Sequence, residues 1–194
     1  MNVVSPRGPA YDRDYESWVA PFVMEATNTR IVLRSESISD LNYGKPFFYE
    51  EAILSGSGIR GLATAIAISA GLGVLGACLF FRPLRALTTK FFLPSPGEGP
   101  SEENQLRGHF DIRLLGQNDI GEKLSVKVTG DRDPGYGSTA KMAAQSALCL
   151  LETSKETTAG GFCTPASSMG DALIERLREH AGLTFEVFMH GKKI

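Results

Sequence analysis

With 194 residues, 42% of them hydrophobic, the chain can bury a core for one ordinary domain or one and a half small ones, which excludes disorder. Its 20 basic side chains face 22 acidic ones and no Arg- and aromatic-rich strand is present, so nucleic acid is not an expected partner. Three widely spaced cysteines, Cys78, Cys149 and Cys163, without a C-x-x-C pair, argue against a disulfide framework or a zinc site and fit a reducing compartment.

The start, Met1 to Arg13, is polar and Pro-rich, so no secretory signal is expected there. Val19, Phe22, Val23 and Ala26 recur at helical spacing, and Pro21 is tolerated near a first turn, which predicts a helix from about Pro21 to Ser35. Phe47 to Ile53 reads as a short strand, followed by the Ser/Gly-rich Ser55 to Gly58.

Gly61 to Phe81 then runs for twenty-one residues without a charge. An apolar helix of about 20 residues is long enough for the ~30 Å hydrocarbon core of a bilayer. The same region holds two matches to the dinucleotide-binding glycine pattern, Gly56-x-Gly58-x-x-Gly61 and Gly71-x-Gly73-x-x-Gly76. A working loop needs a buried apolar strand before it, an amphipathic helix after it and a carboxylate about 20 residues on. The first match has Glu50 and Glu51 in the stretch before it, an all-apolar segment after it, and Phe80, Phe81 and Arg82 where the carboxylate belongs. The second has a better strand candidate, Ala65 to Ser69, but Pro83 interrupts the segment after it. Neither is expected to hold a cofactor.

Lipid explains the run better. Ala65, Ser69, Gly73 and Ala77 fall every fourth residue, a small-residue face on which two helices approach closely, so self-association into a homo-oligomer is an expectation. A simple span would put the two flanks on opposite sides of the membrane. A re-entrant or interfacial insertion, turning near Gly71 to Gly73 and held at the head groups by Arg60, Arg82, Arg85 and Lys90, keeps them together. The competing reading is a very apolar hairpin buried inside a larger partner domain. The membrane-contact set is therefore Arg60, Ala65, Ser69, Gly73, Ala77, Arg82 and Arg85.

Pro83 to Leu93 forms a basic amphipathic piece ending in the loop Pro94 to Pro100. Beyond it, Phe110, Ile112 and Leu114 alternate, as do Leu124, Val126 and Val128, predicting a hairpin across Gly116 to Gly121. Ala140, Ala143, Ala144, Ala147, Leu148 and Leu151 mark a helix with a narrow small-residue stripe expected to lie close against a sheet. Thr164 as N-cap and Pro165 at the first helical position open another, to Gly182, and Thr184 to Met189 is a final strand. The expected fold is α+β, a small mixed or antiparallel sheet with packed helices plus the apolar helical segment. Its parts are an N-terminal helix and strand over 1–57, the membrane-associated insertion over 58–93 and a C-terminal α+β unit over 94–194.

Asp131, Asp133 and Tyr136 sit in a loop leading into a helix, where a carboxylate or phenol could act as a general acid or orient a substrate. Turn chemistry accounts for all three and is the stronger reading. Thr164 and Pro165 could offer backbone N–H groups to an anion, although an ordinary capped start is the simpler account, and Cys163 just before them sits where a thiolate is favoured. His109, His180 and His190 show no metal or relay spacing, and Lys192 and Lys193 read as a soluble basic end.

Gly130-Asp131-Arg132-Asp133-Pro134-Gly135-Tyr136, Thr139 with the alanine-rich helix, Gly160-Gly161-Phe162-Cys163-Thr164-Pro165-Ala166, Leu177, and Gly182-Leu183-Thr184-Phe185 occur in an extended order. That order resembles the closing half of the saccharopine dehydrogenase-like oxidoreductases. Pro94 to Pro100 and the Trp18, Pro21, Asn28, Arg34-Ser35 pattern extend the likeness over nearly the whole chain. The family includes bacterial trans-acting enoyl reductases of lipid and glycolipid synthesis and eukaryotic relatives on lipid droplets and membranes, with a similar apolar segment at this place. The resemblance implies a C-terminal portion whose Rossmann half, with the NAD(P) loop, lies outside this chain. It also implies a cytosol-facing location on a lipid droplet or intracellular membrane, with the mitochondrion as an alternative. The family's equivalent of Cys163 is not typically cysteine. Two functions are expected: part of a lipid-associated oxidoreductase, not catalytic alone, or a non-catalytic membrane or lipid-droplet scaffold.

Overall fold

The computed structural model describes residues 7–39, 43–44, 46–91, 97–154, 160–189 and 192–193. The chain divides into two compact units, Met1–Gly97 and Glu98–Ile194.

In the first unit, β1 (Ala10–Asp12), β2 (Ser17–Pro21) and β3 (Ala52–Gly56) form an antiparallel sheet in that order. The β1–β2 turn is built by Asp12, whose Oδ1 accepts from the backbone N–H groups of Asp14 at 2.8 Å and Tyr15 at 3.0 Å. Directly opposite one another, Tyr11 and Trp18 meet edge to face with ring centroids 5.5 Å apart. A helix, α1 (Glu25–Ile38), follows β2.

Two sequence expectations shift here. The helix expected from Pro21 begins at Glu25, because Val19, Ala20 and Pro21 pair with Leu54, Ile53 and Ala52 of β3. Pro21 lies beyond the last residue paired to β1, where its missing N–H costs no ladder bond on that side. The strand expected over Phe47 to Ile53 is displaced to Ala52–Gly56, so Glu50 and Glu51 precede it.

A 23-residue helix, α2 (Gly58–Phe80), leaves β3 through the single residue Ser57 and packs on β2 and β3, burying Gly61 and Ala65. It is continuous. The turn expected near Gly71 to Gly73 is absent, and Ala65 to Ser69 is helix instead of strand, because an unbroken apolar run without proline satisfies its own backbone bonds. After Phe81, α3 (Arg82–Phe91) follows, its proline at the second helical position, where no intrahelical donor is lost.

The second unit opens with α4 (Glu102–Arg107), not foreseen from sequence. Ser101 caps it by accepting from the Asn104 N–H at 3.3 Å, and Arg107 pairs with Glu103 at 2.8 Å. Of the loop expected over Pro94 to Pro100, residues 94–96 lie outside the described residues, while 97–100 are irregular. β4 (Phe110–Gln117) and β5 (Lys123–Gly130) form the expected hairpin, closed by Asn118, whose Oδ1 accepts from the Glu122 N–H at 2.8 Å. Then come α5 (Gly137–Glu152), α6 (Pro165–His180), β6 (Leu183–Met189) and β7 (Lys192–Lys193). The sheet order is β4-β5-β6-β7, antiparallel throughout, so neither sheet is mixed. Lys192 and Lys193, expected as a soluble basic end, pair with Met189 and Phe188.

Period two makes one sheet face apolar: Phe110, Ile112 and Leu114 lie opposite Gly130, Val128 and Val126, which lie opposite Leu183, Phe185 and Val187. The core gathers at one end of this face, where Cys149, Leu173, Leu177, Ala181 and Leu183 pack with Phe110, Met142, Met169 and Phe185. α6 changes direction at Gly170, whose φ of 46° is left-handed.

Candidate functional site

The loop from Asp131 to Tyr136 joins β5 to α5. Asp133 accepts from three backbone N–H groups ahead of the helix: Oδ1 from Gly135 and Tyr136, each at 3.0 Å, and Oδ2 from Gly137 at 2.6 Å. These bonds, that from Gly137 first, hold its carboxyl below the usual range against an opposing desolvation. Its backbone is also engaged, its N–H donating to the Gln105 carbonyl at 3.1 Å and its carbonyl accepting from the N–H of fully buried Ser138 at 2.9 Å. Asp131 is held by Lys141, whose Nζ lies 2.9 and 2.8 Å from its two oxygens. A Cβ at Gly182 would come within 2.4 Å of the Asp131 carboxylate, which closes that side. Tyr136 is half exposed, and its ring lies 3.4 Å from where a Cβ on Gly99 would stand.

Chemically, this arrangement is a helix start with its donors satisfied. Asp133 carries three N–H groups and is poorly suited to take a proton. Thr164 is likewise spent on its helix in a reciprocal cap, accepting from the Ser167 N–H at 3.3 Å while its own N–H donates to Ser167 Oγ at 3.0 Å. Cys163 is exposed, and His180 lies 3.5 Å from Glu179 at the surface. His190 lies outside the described residues. Among the described residues, no group of three or more His, Cys, Asp or Glu stands where it could hold a metal.

The glycine patterns separate clearly in space. Gly56 and Gly58 have φ of 93° and 63°, and a Cβ on Gly61 would stand 1.9 Å from the Gly56 carbonyl oxygen. The backbone therefore needs all three glycines to pass from β3 into α2, the steric demand that a dinucleotide loop also makes. The rest of a nucleotide site does not fit. β3 pairs antiparallel with β2, and no carboxylate exists between Glu51 and Glu98 to hold a ribose hydroxyl. The second pattern lies wholly within α2, where a Cβ on Gly71, Gly73 or Gly76 meets nothing within 4 Å.

In the first unit, Tyr49 donates to Glu51 Oε1 while Asn28 Nδ2 donates to Oε2 at 2.9 Å. Burial, reinforced by the bond to Glu51, raises the Tyr49 phenol above its ordinary value. Burial, then the charges of Asp12 and Glu25, raises the Glu50 carboxyl. Sequence reasoning missed this group, because Asn28 meets Glu51 from 23 residues away in the chain.

Of the residues assigned to lipid contact, Ala65 is instead fully buried, because α2 lays its Gly61/Ala65 stripe on the first sheet. Ser69, half-buried, returns its hydroxyl to the Ala65 carbonyl at 2.7 Å. Gly73, Ala77, Arg60, Arg82 and Arg85 are exposed. The outer side of the helix is apolar as well: Ile59 is 87% and Phe80 82% exposed, with Ile66, Val74 and Leu79 also open. Among the described residues, α2 is the one helix long and apolar enough to cross a membrane, by length and composition.

The chain is similar to mycobacterial proteins. A trans-acting enoyl reductase of Mycobacterium ulcerans is 37% identical over 166 residues. Two Mycobacterium tuberculosis proteins, one named trans-acting enoyl reductase outright and one provisionally, are each 36% identical over 164 residues. Each match covers 82% of this chain and 39% of the relative, so the chain spans well under half the length of the curated proteins it matches. These likenesses support an oxidoreductase-like relation. No family model matches, and neither does any solved structure.

Proposed function

We propose that this chain is a C-terminal portion of a saccharopine dehydrogenase-like, lipid-associated oxidoreductase, acting on lipid or glycolipid precursors and not catalytic alone. The single observation carrying the reading is the identity of more than a third to trans-acting enoyl reductases over most of this chain. Enoyl reduction requires a hydride from a reduced nicotinamide and a proton for the adjacent carbon, and a protein fold must orient both. The antiparallel first sheet and the acid-free stretch after Glu51 leave this chain without a fitting nucleotide site, so NAD(P)H is assigned to the longer protein. The exposed apolar side of α2 supports residence at a lipid droplet or intracellular membrane, facing the cytosol, where acyl substrates are carried. The exposed Gly73 and Ala77 offer a narrow face for homo-oligomer contacts.

A chimera tests this reading. The matching segment of the M. ulcerans relative is replaced by residues of this chain, and NADPH oxidation with an enoyl thioester is followed. Retained turnover is expected, while a folded but inactive chimera overturns the proposal.

A second reading, a non-catalytic membrane or lipid-droplet scaffold, is favoured by one observation: Asp131, Asp133 and Thr164 are all occupied in holding their own turns and helices. Inactivity of the chimera together with retained lipid binding favours it.

A further inference from the structure

β3 enters α2 through a tight turn, so α2 doubles back over the sheet it has just left. Its buried and half-buried positions, Gly61, Leu62, Ala65, Ile68, Ser69 and Leu72, follow one stripe and stop there, apart from Cys78. A five-residue strand is ~17 Å long, equal to roughly 11 residues of helix, which matches the extent of that stripe. Only Gly73–Phe80 overhangs, a length of ~12 Å against a hydrocarbon core of ~30 Å.

A full span would draw β2 and β3 into lipid together with the helix. Among the described residues β3 pairs with β2 alone, so its outer edge would carry backbone N–H and C=O groups into hydrocarbon, which open sheet edges do not tolerate. The overhang instead matches the depth of a single leaflet.

α3 begins directly beyond it. Leu84, Leu87 and Phe91, spaced i, i+3, i+7, form one stripe of exposed apolar side chains, and Arg82, Arg85 and Lys90 lie around the opposite side. No residue of α3 is buried and none is acidic. From Ala52 to Gly97 the chain has cations at Arg60, Arg82, Arg85 and Lys90 and no anion at all. This charge pattern complements an anionic surface, and the apolar stripe beneath it needs a hydrocarbon one.

We propose that α2 and α3 form a one-leaflet anchor for a bilayer containing anionic phospholipid: the overhang enters one leaflet, α3 lies along the head groups with its cations at the phosphates, and both flanks stay on one side. This rests on the membrane reading above and adds its depth, topology and lipid charge.

The full chain is synthesised cell-free with sealed vesicles of phosphatidylcholine, alone or mixed equally with phosphatidylglycerol, and floated at limiting lipid. Binding to both is expected, stronger on the anionic vesicles by about fivefold per cation, or on the order of a hundredfold for three at low salt, and weakening as salt rises. The variant carrying Arg82→Gln, Arg85→Gln and Lys90→Gln loses that preference but still floats on phosphatidylcholine. Arg82→Lys with Arg85→Lys keeps the preference, since charge suffices. Equal, salt-insensitive binding overturns the lipid assignment. An impermeant maleimide is then added outside the vesicles to variants with a reporter thiol either at Arg13→Cys or at native Cys163, each without the other and with Cys78→Ser. Labelling of both is expected, and protection of either overturns the one-leaflet topology. Failure to float on any vesicle overturns the membrane reading itself, leaving the oxidoreductase relation to the chimera.

Discussion

Gly61 and Gly73 belong to the same helix but to separate glycine motifs, and substitution at each has opposite consequences. Alanine at Gly61 drives a methyl into the Gly56 carbonyl, and overpacking of this kind costs ~1–3 kcal/mol. Alanine at Gly73 meets nothing and gains ~0.5–1 kcal/mol of helix propensity. Thermal unfolding of the two variants in detergent checks the pair; a stable Gly61→Ala protein contradicts the tight turn. Two carboxyls make a second contrast. Asp133 has a depressed pKa, so its stabilisation is present above the ordinary carboxylate range and is lost as pH falls through the folded value. Asp133→Asn is expected to weaken the second unit near neutrality and flatten its acid limb. Glu50 is raised, so the fold favours its neutral form: that contribution is complete below the ordinary value and lost as pH rises through the folded one. Glu50→Gln should therefore match the parent in acid and be more stable near neutral pH. Parallel unfolding curves from pH 3 to 7 would sink either assignment, pH being set around the carboxylate values of about 4.

The elements of the second unit were readable where their periods are clean, but the stripe of α5 expected to pack on a sheet, Ala140, Ala143, Ala144, Ala147, Leu148 and Leu151, is exposed, and Met142 and Cys149 face the core instead. β5 alternates strictly and β4 does so as far as Leu114, and Thr164-Pro165 signals a helix start that Ser167 completes. Leu177, on the inner side of α6, is in the core, whereas Leu151 on α5 is 82% exposed. Leu177→Ala is expected to cost ~2–5 kcal/mol and Leu151→Ala less than about 0.5 kcal/mol, measured by denaturant midpoints. The first unit was less legible. Val19 and Ala20 are adjacent and both buried, so β2 shows no alternation, and with Phe22 and Val23 it mimics a helical period. Its identity as strand comes from pairing with β3, some thirty residues away, which local pattern does not carry. The candidate site was legible in one respect: turn chemistry at Asp131 to Tyr136 was foreseen, and Asp133 carries it out. The burial of Ala65 was not, since a small apolar residue in an apolar run suits a sheet and a lipid equally.

For the whole molecule, the acid-free stretch from Ala52 to Gly97 confines the chain's 22 acidic side chains to the flanks, so a near-neutral protein has a cationic middle. Titration of the 194-residue chain with NADPH is expected to show no saturable binding, and a clear isotherm would refute the rejection of the Gly56–Gly61 turn as a nucleotide loop. The three thiols divide the molecule in another way. Cys163 is open to reagents, Cys78 is half-covered on the apolar helix, and Cys149 is sealed in the core of the second unit. A bulky alkylating agent therefore meets them on three separate clocks. The slowest ticks only when that unit opens, so the alkylation rate of Cys149 measures its opening equilibrium without denaturant.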